Sequence, residues 1–387
     1  MRTNIIQSVL SLICLAIIGC TPIGAIDEIS SEELREVLLK CKQNDVTVDD
    51  IQKDGNRFLL SLSDGTILNL GKDVLLIGID IRGYWDIDGE MTDEPLSSSG
   101  EAILLREMQA RCFCGLVEGY TDWSFFMEDE VITLGKTLFS FDPDTILRGI
   151  NHRGYSHEAP ENTLPAYRLS KLKGFKYVEA DVRFTSDGIP VLIHDGTVNR
   201  TSDGNGSVNK LEWDEISSLD FGSWKSSFFA QTRIPSLEEF LSLCSSIDLY
   251  PYIELKEGNR EQIAAVVDLV DKYGLKERAI YISFSSALLG FVSAFDPDAT
   301  VGLLVNKHLS ETDILAAQKL YTDTNTVLIS ASDFSENAVS LCNAASIPLQ
   351  IWTIDDRDTI LSLPPYVSGV TSNIHHAGRL LYEAGRN

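Results

Sequence analysis

From Ile146 onward the apolar positions follow two alternating rhythms. Compact apolar runs of strand length fall at Ile146–His152, Tyr177–Arg183, Val191–His194, Leu249–Leu255, Ala279–Phe284, Thr300–Val305, Thr326–Ser330, Leu349–Ile354 and Val367–Thr371. Helical spacing fills most gaps, at Glu161–Leu172, Ser236–Ser245, Arg260–Tyr273, Glu311–Tyr321 and Glu336–Ala345. Strand and helix in turn predict a parallel sheet with crossover helices. The runs number one more than an eight-stranded barrel needs. Only seven residues, Asp187-Gly188 among them, separate Arg183 from Val191. That is too few for a parallel crossover. Residues 177–194 are therefore read as a hairpin-like excursion, which leaves eight strands for a TIM-type (β/α)8 barrel. A length of about 240 residues suits that fold.

The preceding stretch has a different pattern. Ser30-Ser31-Glu32-Glu33 reads as a helix cap, followed by Leu34, Val37, Leu38 and Cys41 at helical spacing. Phe58–Leu62 and Thr66–Leu70 flank Asp64-Gly65 as a hairpin. Short strands follow, with Trp85 and Trp123 as packing residues. The expectation is a smaller, mostly-β accessory domain over 20–145, a helix and then strands, ahead of a barrel over 146–387. It resembles small modules that precede the catalytic part of some bacterial surface lipoproteins. Spacing or binding, for instance of a glycan, is its expected role, and its partner stays open.

Residues 1–19 read as a signal peptide. Arg2 is the only charge before an apolar run from Ile5 to Ile18, too short to span a bilayer comfortably. Ile17-Ile18-Gly19-Cys20 resembles a lipoprotein box, with Cys20 as the acylated anchor. This implies an exported lipoprotein tethered to a membrane, on the periplasmic or surface side. Cys41, Cys112, Cys114, Cys244 and Cys342 match no zinc pattern and are read as packed or incidental, with room for one disulfide. A formal net charge of −25 argues against nucleic acid as a partner. An anionic small substrate then needs a local cation.

The chemistry concentrates at strand ends. Glu179 and Asp181 stand two apart on one strand and face the same way; Glu254 and Lys256 repeat the arrangement. His152, Arg153 and His194 also end strands. Three converging carboxylates repel unless a cation joins them. All-oxygen ligation favours Mg²⁺ or Ca²⁺ over Zn²⁺. Arg153 and Lys256 suit a phosphate, and two histidines suit acid–base work. The set describes metal-assisted phosphodiester cleavage.

The strings His152-Arg153-Gly154, Pro160-Glu161-Asn162-Thr163, Glu179-Ala180-Asp181-Val182, Thr185-Ser186-Asp187-Gly188, Val191-Leu192-Ile193-His194-Asp195, Ile234-Pro235-Ser236-Leu237-Glu238-Glu239, Ile253-Glu254-Leu255-Lys256 and Trp352-Thr353 occur in order. They resemble the glycerophosphodiester phosphodiesterase family over about 148–373. The resemblance implies a TIM-type barrel and metal ligation by Glu179, Asp181 and Glu254. It also implies acid–base roles for His152 and His194, phosphate contacts from Arg153 and Lys256, and packing of Trp352 on the glycerol part. Thr371 is followed by Ser372-Asn373-Ile374 rather than the usual Asp-x-Pro, so a rim contact is expected to differ. The loop Tyr155–Ala159 is lengthened and carries His157 toward the substrate side. Glu161-Asn162 is read as a helix cap, His308, His375 and His376 as surface residues, and Asp203–Gly206 as a loop. The expected reaction is metal-dependent hydrolysis of glycerophosphodiesters to sn-glycerol 3-phosphate and an alcohol. A lyase resembling sphingomyelinase D barrels, a tethered barrel without activity and a carbohydrate-active barrel stay open as alternatives.

Overall fold

The computed structural model describes residues 27–386 apart from 56, 73, 108–113, 128–129 and 307, and the side chains of 105–107. The signal segment, Cys20 and Cys112 lie outside the described residues. Among the described residues no helix is long and apolar enough to cross a membrane.

Helix α1 (Ser31–Gln43) starts on a reciprocal Ser30–Glu33 capping box and buries Leu34, Leu38 and Cys41. Strands β1 (Val48–Asp54), β2 (Arg57–Leu62) and β3 (Ile67–Asn69) form an antiparallel sheet. A second sheet contains β4 (Val74–Asp80), β5 (Tyr84–Ile87), β6 (Glu90–Pro95), β7 (Cys114–Glu118), β8 (Asp122–Phe126) and β9 (Val131–Gly135), in the order β6-β5-β4-β7-β8-β9. The expected run of strands is interrupted. β4 and β7 pair in parallel, and parallel neighbours need a crossover, supplied by α2 (Gly100–Glu107). Trp123 is buried, and Trp85 packs on a cluster containing Ile77 and Leu104.

The third sheet is the barrel. Its strands are β10 (Arg148–Asn151), β11 (Tyr177–Phe184), β13 (Tyr250–Leu255), β14 (Ile280–Ser283), β15 (Thr300–Val305), β16 (Val327–Ala331), β17 (Leu349–Ile351) and β18 (Val367–Ser372). All run parallel, and the β10–β11 pairing closes the ring. β12 (Pro190–Leu192) pairs antiparallel with β11, so the extra strand is the return arm of a hairpin. Five helices fall at or near their expected places: α3 (Leu164–Leu172), α5 (Leu237–Ser246), α6 (Arg260–Lys272), α8 (Glu311–Gln318) and α9 (Glu336–Ala345). The pattern missed α4 (Trp213–Ser217), α7 (Ser286–Phe295), α10 (Arg357–Ser362) and α11 (Ala377–Glu383). α7 is almost wholly apolar, so no polar face contrasts with its buried one.

Two apolar shells hold the ring. Strand and helix side chains such as Val178, Ile253, Val266, Leu289 and Ile329 pack between the layers. Each such fully buried side chain contributes about 1.5–3 kcal/mol. Ile150, Tyr177, Tyr252, Ile282, Leu304 and Leu328 fill the interior. On β11 the residues two and four beyond Tyr177 are Glu179 and Asp181. The same pleat that turns Tyr177 inward carries both acids up toward the mouth.

Candidate active site

Asp181 is the register partner of Glu254 across β11 and β13, with Glu179 one pleat earlier. Carboxylate oxygens of Glu179, Asp181 and Glu254 all lie within 4.8 Å of one another, and all three residues are buried. Burying a carboxylate in its ionised form costs several kcal/mol without partners. Lys256 Nζ lies 2.7 Å from Glu254 Oε1 and 3.2 Å from Asp181 Oδ1. Arg153 Nε lies 3.2 Å from Asp181 Oδ2, and its backbone N–H donates to Glu179 Oε2 at 2.9 Å. Glu179 Oε1 is buried with no hydrogen-bond donor.

The charges separate these acids. Burial raises Glu179 well above the usual carboxylate range, and the Asp181 and Glu254 charges add to this. Burial and Asp181 push Glu254 up to about 7. Burial acts the same way on Asp181, but Arg153 and Lys256 outweigh it and hold that group below its ordinary value. A pocket with two reluctant anions, one firm anion and an orphaned oxygen fits a bound divalent cation. Glu179, Asp181 and Glu254 are the residues that would hold it.

The histidines sit in different surroundings. Asn373 donates its amide to Asp355 Oδ2 at 2.7 Å, so its carbonyl oxygen faces His152 Nδ1 at 2.8 Å. His152 Nδ1 therefore carries the proton, and Nε2 stands 3.9 Å from Glu179. Burial and the Arg153 charge lower His152 to about 4, which keeps the ring neutral. His194 hydrogen-bonds through Nδ1 to Asp195 Oδ1 at 2.8 Å. Trp352 caps the interior shell, donates to the Ser330 carbonyl at 2.8 Å and meets the Phe284 ring edge-on at 5.7 Å.

Every site residue expected within the described chain lies on this side of the barrel, at a strand end or in the hairpin beside it. Several partners were not expected. Glu161-Asn162 is not a cap: Asn162 has φ +56°, outside helical space, and Thr163 occupies the N-cap position. Glu161 instead pairs with Arg153 at 2.9 Å and Arg200 at 2.8 Å. The Asn162 amide donates to Asp181 Oδ2 at 2.8 Å, and its oxygen accepts from the Asp181 N–H. Arg200 spans Glu161 and Asp195, a role that nothing in its surface-loop sequence marks. Asn373 could have been found, because the departure at Thr371 pointed to it. His157 is exposed on the rim loop. His376 is not a surface residue: it is 5% exposed, its ring tucked beneath Gly149. Cys41, Cys244 and Cys342 are buried free thiols.

The model of the Glycerophosphoryl diester phosphodiesterase family matches residues 152–373. The chain belongs to that family. Its class is phosphodiester hydrolase. A glycerophosphodiester phosphodiesterase of Caldanaerobacter subterraneus is 32% identical over 214 residues, which cover 54% of this chain and 86% of that protein. Mouse glycerophosphodiester phosphodiesterase 1 is 36% identical over 144 residues; these are 37% of this chain and 43% of the mouse protein, so the match spans less than half of that relative. An Oleispira antarctica phosphodiesterase, solved with the product sn-glycerol-3-phosphate, superposes with a TM-score of 0.56. It is 31% identical, and the alignment covers 62% of this chain and 98% of that one. In this family member Arg153 and Lys256 both lie against the acid cluster.

Proposed function

We propose that the chain hydrolyses glycerophosphodiesters to sn-glycerol 3-phosphate and an alcohol, using one Mg²⁺ or Ca²⁺ held by Glu179, Asp181 and Glu254. The observation that carries this reading is the buried triad of acids flanked by Arg153 and Lys256. When bound, the cation offsets negative charge that builds on the phosphoryl oxygens. Arg153 and Lys256 then share their charge between the acids and the phosphate. His152 is the base: its neutral ring presents an Nε2 lone pair to the nucleophile's proton. His194 is the acid: Asp195 orients its ring through Nδ1, and Nε2 gives a proton to the leaving oxygen. The half-buried Trp352 ring packs against the glycerol carbons.

The tether belongs to the same proposal. The apolar run ending at Gly19-Cys20 supports export and acylation at Cys20. Such an anchor would hold the barrel near a membrane whose phospholipids, once deacylated, supply the substrate class.

The test is glycerol 3-phosphate release from several deacylated phospholipids, with and without chelator, for wild type and His194→Ala. Release should fail with chelator and should fall about 10²–10⁴-fold in the variant. Full activity in either arm counts against the site. Phosphorus NMR of the product distinguishes hydrolysis from a lyase, whose cyclic phosphate would persist. Calorimetry with Mg²⁺ or Ca²⁺ should show binding to wild type and its loss in Glu179→Gln.

A further inference from the structure

The family match begins at residue 152, so residues 27–145 are additional to the matched machinery. Their contact with the barrel is specific in place. The turn between β4 and β5 puts Ile81 onto the apolar cluster formed by Tyr155, Ala159 and Phe229 with their neighbours. Arg82 lays its guanidinium 4.1 Å from the centre of the Phe228 ring and approaches the Phe228 carbonyl at 3.4 Å. Asp80 pairs with the same guanidinium and orients it. Arg168 of α3 donates to the Ile81 carbonyl at 3.3 Å. Gly83, at φ +110°, lies where a Cβ would come 3.2 Å from the Arg168 guanidinium.

The two gripped segments lead to the reacting groups. Lys225, three residues before Phe228, donates to the Ser156 carbonyl at 2.7 Å. Ser156 Oγ donates to Asn373 Oδ1 at 2.8 Å, the atom that orients His152. The loop itself runs from Arg153 to Asn162, joined by an N–H···O bond of 3.0 Å from Asn162 to Arg153. Both end residues are non-glycine at φ +56°. Such conformations persist only where surrounding contacts over-determine them. In this chain part of that surrounding comes from the added residues.

We propose that the turn Asp80–Tyr84 is a brace for the active site, with Ile81 and Arg82 as positioning residues. They hold 153–162 and 222–230 in the shape that presents His152 and Arg153. The proposal rests on the roles given to those two residues above. It assigns residues 27–145 a part in the reaction beyond spacing.

The test uses the full chain with Arg82→Ala, Phe228→Ala, both together, Ile81→Ala and Arg82→Lys. The control is Met91→Ala, an exposed position on β6. Amide hydrogen exchange should accelerate about tenfold or more at Tyr155, Ala159 and Asn162 when the grip is lost. The value of kcat/KM should fall on the order of tenfold, chiefly through kcat, because small misplacements of reacting groups are costly. Arg82→Lys should recover part of the loss. The double variant should lose no more than the worse single one, because both remove one contact. Cation affinity should change less than kcat/KM, as the acids themselves sit on β11 and β13; a general loosening of the barrel would lower both together. Unchanged loop exchange overturns the proposal. So does accelerated exchange with kcat/KM within about twofold of wild type. If wild type releases no glycerol 3-phosphate, the proposed reaction fails, while the exchange measurement still decides the brace.

Discussion

Arg200 ties the two halves of the site together. Its Nη1 and Nη2 each lie 2.8 Å from a Glu161 oxygen, and Nε lies 2.8 Å from Asp195 Oδ2. Asp195 orients His194, and Glu161 holds Arg153. The planar fork serves two carboxylates at once, which an ammonium cannot reproduce. Arg200→Lys should therefore behave nearly as poorly as Arg200→Met. Both should lower kcat/KM about ten- to a hundredfold with little change in melting temperature, as steady-state kinetics and calorimetric scans would report. A lysine variant at wild-type activity would remove Arg200 from the positioning network. Asn162 acts at the same scale: it satisfies both Asp181 Oδ2 and the Asp181 N–H from a left-handed backbone.

Among the elements, β11 decides most. One strand delivers Glu179 and Asp181 inward, and its antiparallel partner β12 then carries the chain to His194 at the mouth. A helix in place of that hairpin would take His194 away from the acids. At the C-terminal end of the domain, α11 begins on His376, whose ring is sealed under Gly149 with no hydrogen bond and Nε2 3.5 Å from Asp144 Oδ1. Burial lowers His376 to about 3. The unfolded chain takes up this proton near pH 6.5, the folded chain only near 3. Between those values the unfolded state binds more protons, so this group's contribution falls as pH falls. Asp144, pushed up to about 6 by burial, acts with the opposite sign between about 4 and 6. His376→Phe keeps a ring and removes the first effect together with the imidazole neighbour of Asp144. Relative to the variant, wild type should lose about 2 kcal/mol of stability between pH 7 and pH 5, read from denaturant titrations. A pH-independent difference would show that His376 takes its proton freely in the fold.

The whole molecule carries a net charge of −25. Its field opposes an anionic diester, and Arg153 and Lys256 counter it beside the acids. Raising ionic strength from about 10 mM to about 150 mM shortens the screening length from about 30 Å to about 8 Å. The kcat/KM for a glycerophosphodiester with an uncharged head should rise a few-fold over that range, and less for one with a quaternary ammonium head. A fall with salt would reveal a basic approach path that overrides the global charge.

Periodicity, link length and domain length together determined the barrel. A pleat of two and a helix of 3.6 leave different marks on a chain, and the short Arg183–Val191 link excluded one strand from the parallel ring. The acids and histidines were legible for a related reason. Glu179, Asp181 and Glu254 interrupt mostly apolar strands, and Lys256 follows directly on the last of them, where a charge is too costly to keep without a purpose. Only the tertiary structure decided which loop residues join them. Glu161, Asn162, Arg200 and Asn373 lie in segments where polar residues cost nothing, so apolar periodicity does not assign their contacts. Their roles arise when β10, β11 and β18 bring distant loops within hydrogen-bond range. The inward turn of His376 and the grip of Arg82 on Phe228 were hidden for the same reason. Each depends on what lies opposite, and a sequence records neighbours along the chain but not across it.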